Sequence, residues 1–107
     1  MGIDDQTVRE IVRRVLSVTR PARIIVFGSA AARAMTPDSD IDLLVLEDAP
    51  ADSYEETVAL LQALRGMGVP FDVIVMATEW FEDSKNVVGG LAFPANKRGK
   101  VIFNSTR

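Results

Sequence analysis

The sequence predicts an α/β (α+β) domain, with a small mixed sheet of about four strands and helices packed mainly on one face. Three observations lead there. Short apolar runs rich in β-branched residues recur at 23–27, 41–46, 71–76 and 100–103. Segments with helical periodicity precede or separate them, so the order alternates from helix to strand. The chain has 107 residues, 48% of them apolar and 25% charged, enough for one core and read here as one domain over 1–107.

Val8, Ile11, Val12, Val15 and Leu16 recur at three and four residues, the stripe of an amphipathic helix from about Asp5 to Val18. Asp4 and Asp5 suit its positive N-terminal end, and Arg9, Arg13 and Arg14 read as a solvated face. Thr19-Arg20-Pro21 ends it. Arg23 to Phe27 reads as a buried strand bounded by Gly28. Ser29 to Ala34 is alanine-rich and reads as a short helix, and Thr36-Pro37-Asp38-Ser39 as a turn. Ile41 to Leu46 is a second buried strand, followed by a loop over 48–52.

Ser53 and Glu56 have capping-box spacing. Val58, Leu61 and Leu64, with Ala59 and Ala63, then give a helix to about Gly66, where Gly66-Met67-Gly68 supplies a left-handed stop. Phe71 to Met76 is a third strand, and Thr78-Glu79-Trp80-Phe81 a cap and short helix. Residues 84–90 read as loop, Leu91 to Arg98 as a helix with Pro94 in its first turn, and Lys100 to Phe103 as a last strand.

Composition narrows the chemistry. With no cysteine and no histidine there is no thiolate nucleophile, no imidazole base, no Ser–His–Asp triad and no Cys- or His-ligated metal. A net charge of −3 supplies no field for coating a long polyanion, so extended nucleic-acid binding is not expected. No stretch approaches a membrane span or a signal peptide, which makes a cytoplasmic protein the default. Carboxylates, hydroxyls, Lys/Arg and backbone groups remain.

Those groups concentrate in Phe27-Gly28-Ser29, then ten residues, then Asp40-Ile41-Asp42. Gly28 and Ser29 stand where a strand turns into a helix, whose first N–H groups and positive dipole end suit a phosphate. Gly lets backbone approach closely and Ser adds a hydroxyl donor. Asp40 and Asp42 are two apart at a strand start, which puts both carboxylates on one face. Like charges so placed call for a cation between them, and a hard oxygen-seeking ion such as Mg²⁺ fits. Asp72 opens the third strand with no Lys or Arg within four residues. If that strand lies beside the second, three carboxylates and a phosphate cradle describe a two-metal phosphoryl-transfer site, with metals roughly 3.5–4 Å apart. The plainer readings are a capping serine for Ser29 and turn residues for Asp38, Ser39 and Asp40.

The segment GSAAARAMTPDSDIDLLV, the later FDVIVM and the closing AFPANKRGKVIF resemble the minimal nucleotidyltransferases of the DNA polymerase beta superfamily, of the kind paired with HEPN toxins. The family pattern is G-S-x-A-R-G, a turn, S-D-x-D-L-x-V and a later strand Asp. The resemblance covers nearly the whole chain and implies a polymerase beta palm-like fold. It implies that Gly28 and Ser29 hold the β/γ-phosphates of a nucleoside triphosphate. Asp40 and Asp42 would ligate two Mg²⁺ ions, and Asp72 the catalytic one while helping to deprotonate the attacking hydroxyl. The reaction implied is attack on the α-phosphorus of a donor such as ATP, with release of pyrophosphate.

The chain departs from the family where Ala32-Arg33, followed by Ala34, stands in place of Arg-Gly. That displaces the arginine by about 100° around a helix. Arg33 either reaches the triphosphate through its long side chain or faces solvent. The resemblance further implies an antitoxin that transfers AMP to a HEPN-domain toxin (AMPylation). The rivals are a binding-only antitoxin and transfer to tRNA or a small molecule. A templated polymerase is excluded by length. Trp80-Phe81, Val87-Val88 and Phe93 are docking candidates whose plainer reading is core, as Lys97, Arg98, Lys100 and Arg107 are docking candidates whose plainer reading is a solvated basic end. A homo- or hetero-oligomer is open.

Overall fold

The computed structural model describes residues 5–27, 40–48, 53–84 and 99–105. The expected helices over 29–34 and 91–98, the turn over 36–39 and the loop over 85–90 lie outside the described residues. The elements run α1 (Asp5–Leu16), β1 (Arg23–Phe27), β2 (Ile41–Glu47), α2 (Ser53–Ala63), β3 (Phe71–Ala77), α3 (Thr78–Ser84) and β4 (Lys100–Asn104).

The four strands form one mixed sheet in the order β3-β2-β1-β4. β1 pairs antiparallel with β2 and with β4, and β2 pairs parallel with β3. The parallel pair follows from the connection, because β2-α2-β3 is a crossover whose helix covers one face. Gly66 and Gly68, at φ 90° and 85°, let the chain leave α2 and return to the sheet in a conformation side chains avoid.

Strand alternation sorts the core into two layers. Ile24, Val26, Leu43, Val45 and Val73 pack with Ile11 and Val15 of α1 and with Leu60 and Leu64 on and just after α2. On the other face Ile25, Leu44, Leu46 and Met76 pack against Phe81 of α3. Among the described residues, helices thus lie mainly on one face, with the short α3 on the second. Arg23 helps to seat α3, its Nη1 3.6 Å from Glu82 and its guanidinium 6.0 Å from the centre of the Phe81 ring.

Local expectations are refined at several points. Arg14 is not simply solvated: Nη1 donates to the carbonyl oxygens of Ala63 at 3.0 Å and Arg65 at 2.7 Å, closing the C-terminal end of α2. Glu56 Oε2 is buried with no partner, so this oxygen does not complete a capping box. Thr78 Oγ1 is likewise buried and unpartnered and does not cap α3. In α2 the core takes Leu60 and Leu64, while Val58 and Leu61 remain 38% and 36% exposed. Of the aromatic pair, Phe81 is core and Trp80 is exposed.

Candidate active site

The carboxylates of interest gather at the end of the sheet where β2 and β3 begin. Asp42 and Asp72 are register partners in the parallel β2–β3 ladder. Residues opposite each other in a ladder project from the same face, so the two side chains leave the sheet together. Their face is that of α3, because Leu44 and Leu46 of β2 and Ile74 and Met76 of β3 share it. Phe81 packs on that face against Ile25, Leu44, Leu46 and Met76. Ile41 N donates to Pro70 O at 2.9 Å, tying the start of β2 to the residue before β3. Asp40 stands just outside β2, two residues before Asp42, and is exposed. Phe27, the register partner of Asp42 on β1, completes the row with an apolar ring.

Electrostatics mark the same spot. Partial burial pushes the Asp42 carboxyl above its ordinary pKa, and the negative charges of Asp72 and then Asp40 push it further. Both other carboxylates are therefore close enough to be felt at Asp42. None of the causes acting on Asp42 is a cation. Among the described residues, no group of three acidic side chains stands close enough to form a metal cage by itself. The donor set nevertheless fits a hard divalent ion: it is all oxygen, all anionic, and strained in a way that a cation relieves.

Gly28, Ser29 and Arg33, the expected phosphate-binding residues, lie outside the described residues. What the structure adds is their anchor, since Phe27, immediately before Gly28, is the β1 residue paired with Asp42. Sequence reasoning placed Phe27 at the head of the site segment but did not foresee its pairing with Asp42. The alternation of Ile25 and Phe27 within β1 was the signal that could have found it.

Comparison with known proteins points the same way. The sequence pattern of the nucleotidyltransferase domain family matches residues 6–93. No curated protein matches the chain. Among solved structures, a toxin–antitoxin complex with AMP-PNP superposes with a TM-score of 0.60 at 19% identity, covering 92% of this chain and 74% of that one. A mutant of the toxin–antitoxin MntA-HpeT gives 0.64 at 16%, with coverage of 92% and 74%. A complex of tri-AMPylated Shewanella oneidensis HEPN toxin with MNT antitoxin gives 0.54 at 20%, covering 92% and 70%. At these identities the likeness is one of fold.

Proposed function

Because the chain belongs to the nucleotidyltransferase domain family, we propose that it transfers a nucleoside monophosphate, AMP from ATP, to a hydroxyl of a protein partner. The register pair of Asp42 and Asp72, with its unrelieved like charge, is the observation that carries this reading. Asp40, Asp42 and Asp72 would hold Mg²⁺. When bound, the metal supplies charge neutralisation and Lewis acidity at the reacting phosphate. Asp72, exposed at the site, accepts the proton of the attacking hydroxyl. The hydroxyl oxygen bonds to the α-phosphorus, the bond from α-phosphorus to the bridging oxygen breaks, and pyrophosphate leaves. Gly28, Ser29 and Arg33 would bind the β/γ-phosphates, so this chain's work is chiefly positioning and charge balance.

The partner proposed is a HEPN-domain toxin, with this chain as the antitoxin. The fold likeness to antitoxins in toxin–antitoxin complexes supports that choice. The test incubates the full chain with labelled ATP, Mg²⁺ and a HEPN-domain toxin. Label on the toxin that is lost in Asp42→Ala supports transfer. A second reading, neutralisation by complex formation alone, is favoured by Ala32-Arg33-Ala34 in place of the family's Arg-Gly. Toxin neutralisation that persists unchanged in the Asp40→Ala/Asp42→Ala double variant would establish it over transfer. Label on tRNA alone would move the acceptor away from protein.

A further inference from the structure

The helix α2 carries more apolar surface than the domain uses. In α1 the apolar residues fall on one side, whereas in α2 they are spread around the helix. Leu60 and Leu64 serve the core. A second stripe runs along the flank through Tyr54, Val58 and Leu61 to Arg65 in the turn that follows. Its members are exposed: Tyr54 by 81%, Val58 by 38% and Leu61 by 36%. The stripe borders an open groove of about 450 Å³ between α2 and the start of β3, whose lining includes Val58, Leu61, Leu64, Arg65, Val69 and Phe71.

We propose that this flank is a self-complementary docking face for a second copy of the chain, with the two α2 helices packed antiparallel about a two-fold axis. The spacing of the stripe is four, three, four residues, which reads the same in both directions. An antiparallel pair therefore sets Val58 against the partner's Leu61 at the centre, on both sides of the axis. It also sets Tyr54 at each end against the partner's Arg65. That brings a guanidinium onto an exposed phenol ring, a pairing that attracts cations, with the acidic first turn of α2 beside it. Among the described residues the Arg65 guanidinium has no ion pair, so its charge is available to this contact. A parallel arrangement would place Arg65 against Arg65 and is disfavoured by like charge.

The contact is short. An eleven-residue helix is about 17 Å long, so the face lies at the small end of specific interfaces and the dimer is concentration-dependent. The groove faces away from α3, on the side of the sheet opposite the carboxylates, so dimerisation leaves the aspartates open.

Sedimentation equilibrium of the full chain tests this. A monomer–dimer equilibrium is expected, with Arg65→Glu and Leu61→Asp each weakening it at least tenfold while far-UV circular dichroism stays native. Because the chain has no cysteine, Val58→Cys and Leu61→Cys variants can be mixed under mild oxidation. The mixed disulfide should form in preference to either self-disulfide. A chain that stays monomeric at every concentration, a dimer indifferent to both substitutions, or a preference for self-disulfides overturns the proposal. So does a monomer in which Leu61→Asp abolishes capture of a HEPN-domain protein, which would assign the face to that partner.

Discussion

Asp42 on β2 and Asp72 on β3 are partners in a parallel ladder, and partial burial, then the negative charges of Asp72 and Asp40, raise the Asp42 pKa. Two carboxylates in one row of a sheet weaken the sheet that holds them. The arrangement makes sense as a site that trades some stability for a place where positive charge is wanted.

That trade can be measured through pH. A carboxyl whose pKa is raised on folding binds its proton more tightly in the native state, so stability falls as pH rises through the raised value. The full deficit is present above it, and no deficit remains below the ordinary value near 3.8. Asp42→Asn removes the deficit. The variant is expected to melt about 2–4 °C above the native chain at pH 7 without metal, and level with it at pH 3. Millimolar Mg²⁺ should raise the melting temperature of the native chain and leave the variant unmoved.

Asp72 occupies an exposed position on a strand that, among the described residues, is an edge of the sheet. Asp72→Ala should therefore fold normally, with a melting temperature within about 2 °C of native. Transfer of label from ATP should drop at least about 100-fold if the residue takes the proton. A large loss of stability with little loss of transfer would make it structural.

Glu10 reports a different balance. Hydrogen bonds from Arg13 and then Arg14 hold its carboxyl down at about 2, well below 4.5. A depressed carboxyl stabilises the fold above its ordinary pKa, and the contribution drains away as pH falls from about 4.5 to about 2. The melting difference between native and Glu10→Gln should be small at pH 7, because the group is solvent-screened. It should shrink further in 1 M NaCl and vanish near pH 2.

Arg14 joins helices far apart in sequence by donating to the Ala63 and Arg65 carbonyls. Arg14→Ala is expected to cost about 1–2 kcal/mol in chemical denaturation, the range for losing charged hydrogen bonds to backbone. Arg14→Lys should recover less than half, since one ammonium cannot serve both the two carbonyls reached by Nη1 and the Glu10 carboxylate reached by Nε.

Leu60 and Leu61 are neighbours with opposite environments, one buried and one 36% exposed. Leu60→Ala should cost about 2–4 kcal/mol and Leu61→Ala less than about 1 kcal/mol.

That last contrast shows where the sequence stopped being readable. All four strands could be placed because their β-branched runs are short, continuous and bounded by turn residues. Asp72 at the head of the third run gave the partner of Asp42 once those strands were neighbours, whereas Asp40 stands just outside β2. In α2, periodicity could not choose a face, because apolar residues surround the helix; only the position of the sheet picks Leu60 and Leu64. The tie from Arg14 to α2 was illegible for another reason: its acceptors are backbone carbonyls 49 and 51 residues away, with no side-chain signature. The failed cap at Thr78 is a residue of the right type whose hydroxyl finds no partner.

The two aspartates come from strands that meet only after α2 has swung the chain back across the sheet. A nascent or partly denatured copy still possesses both acids yet cannot bring them abreast. The acid pair therefore exists only where β2 and β3 are joined. Any assay of the acid pair doubles as a gauge of how much of the population has β2 and β3 paired.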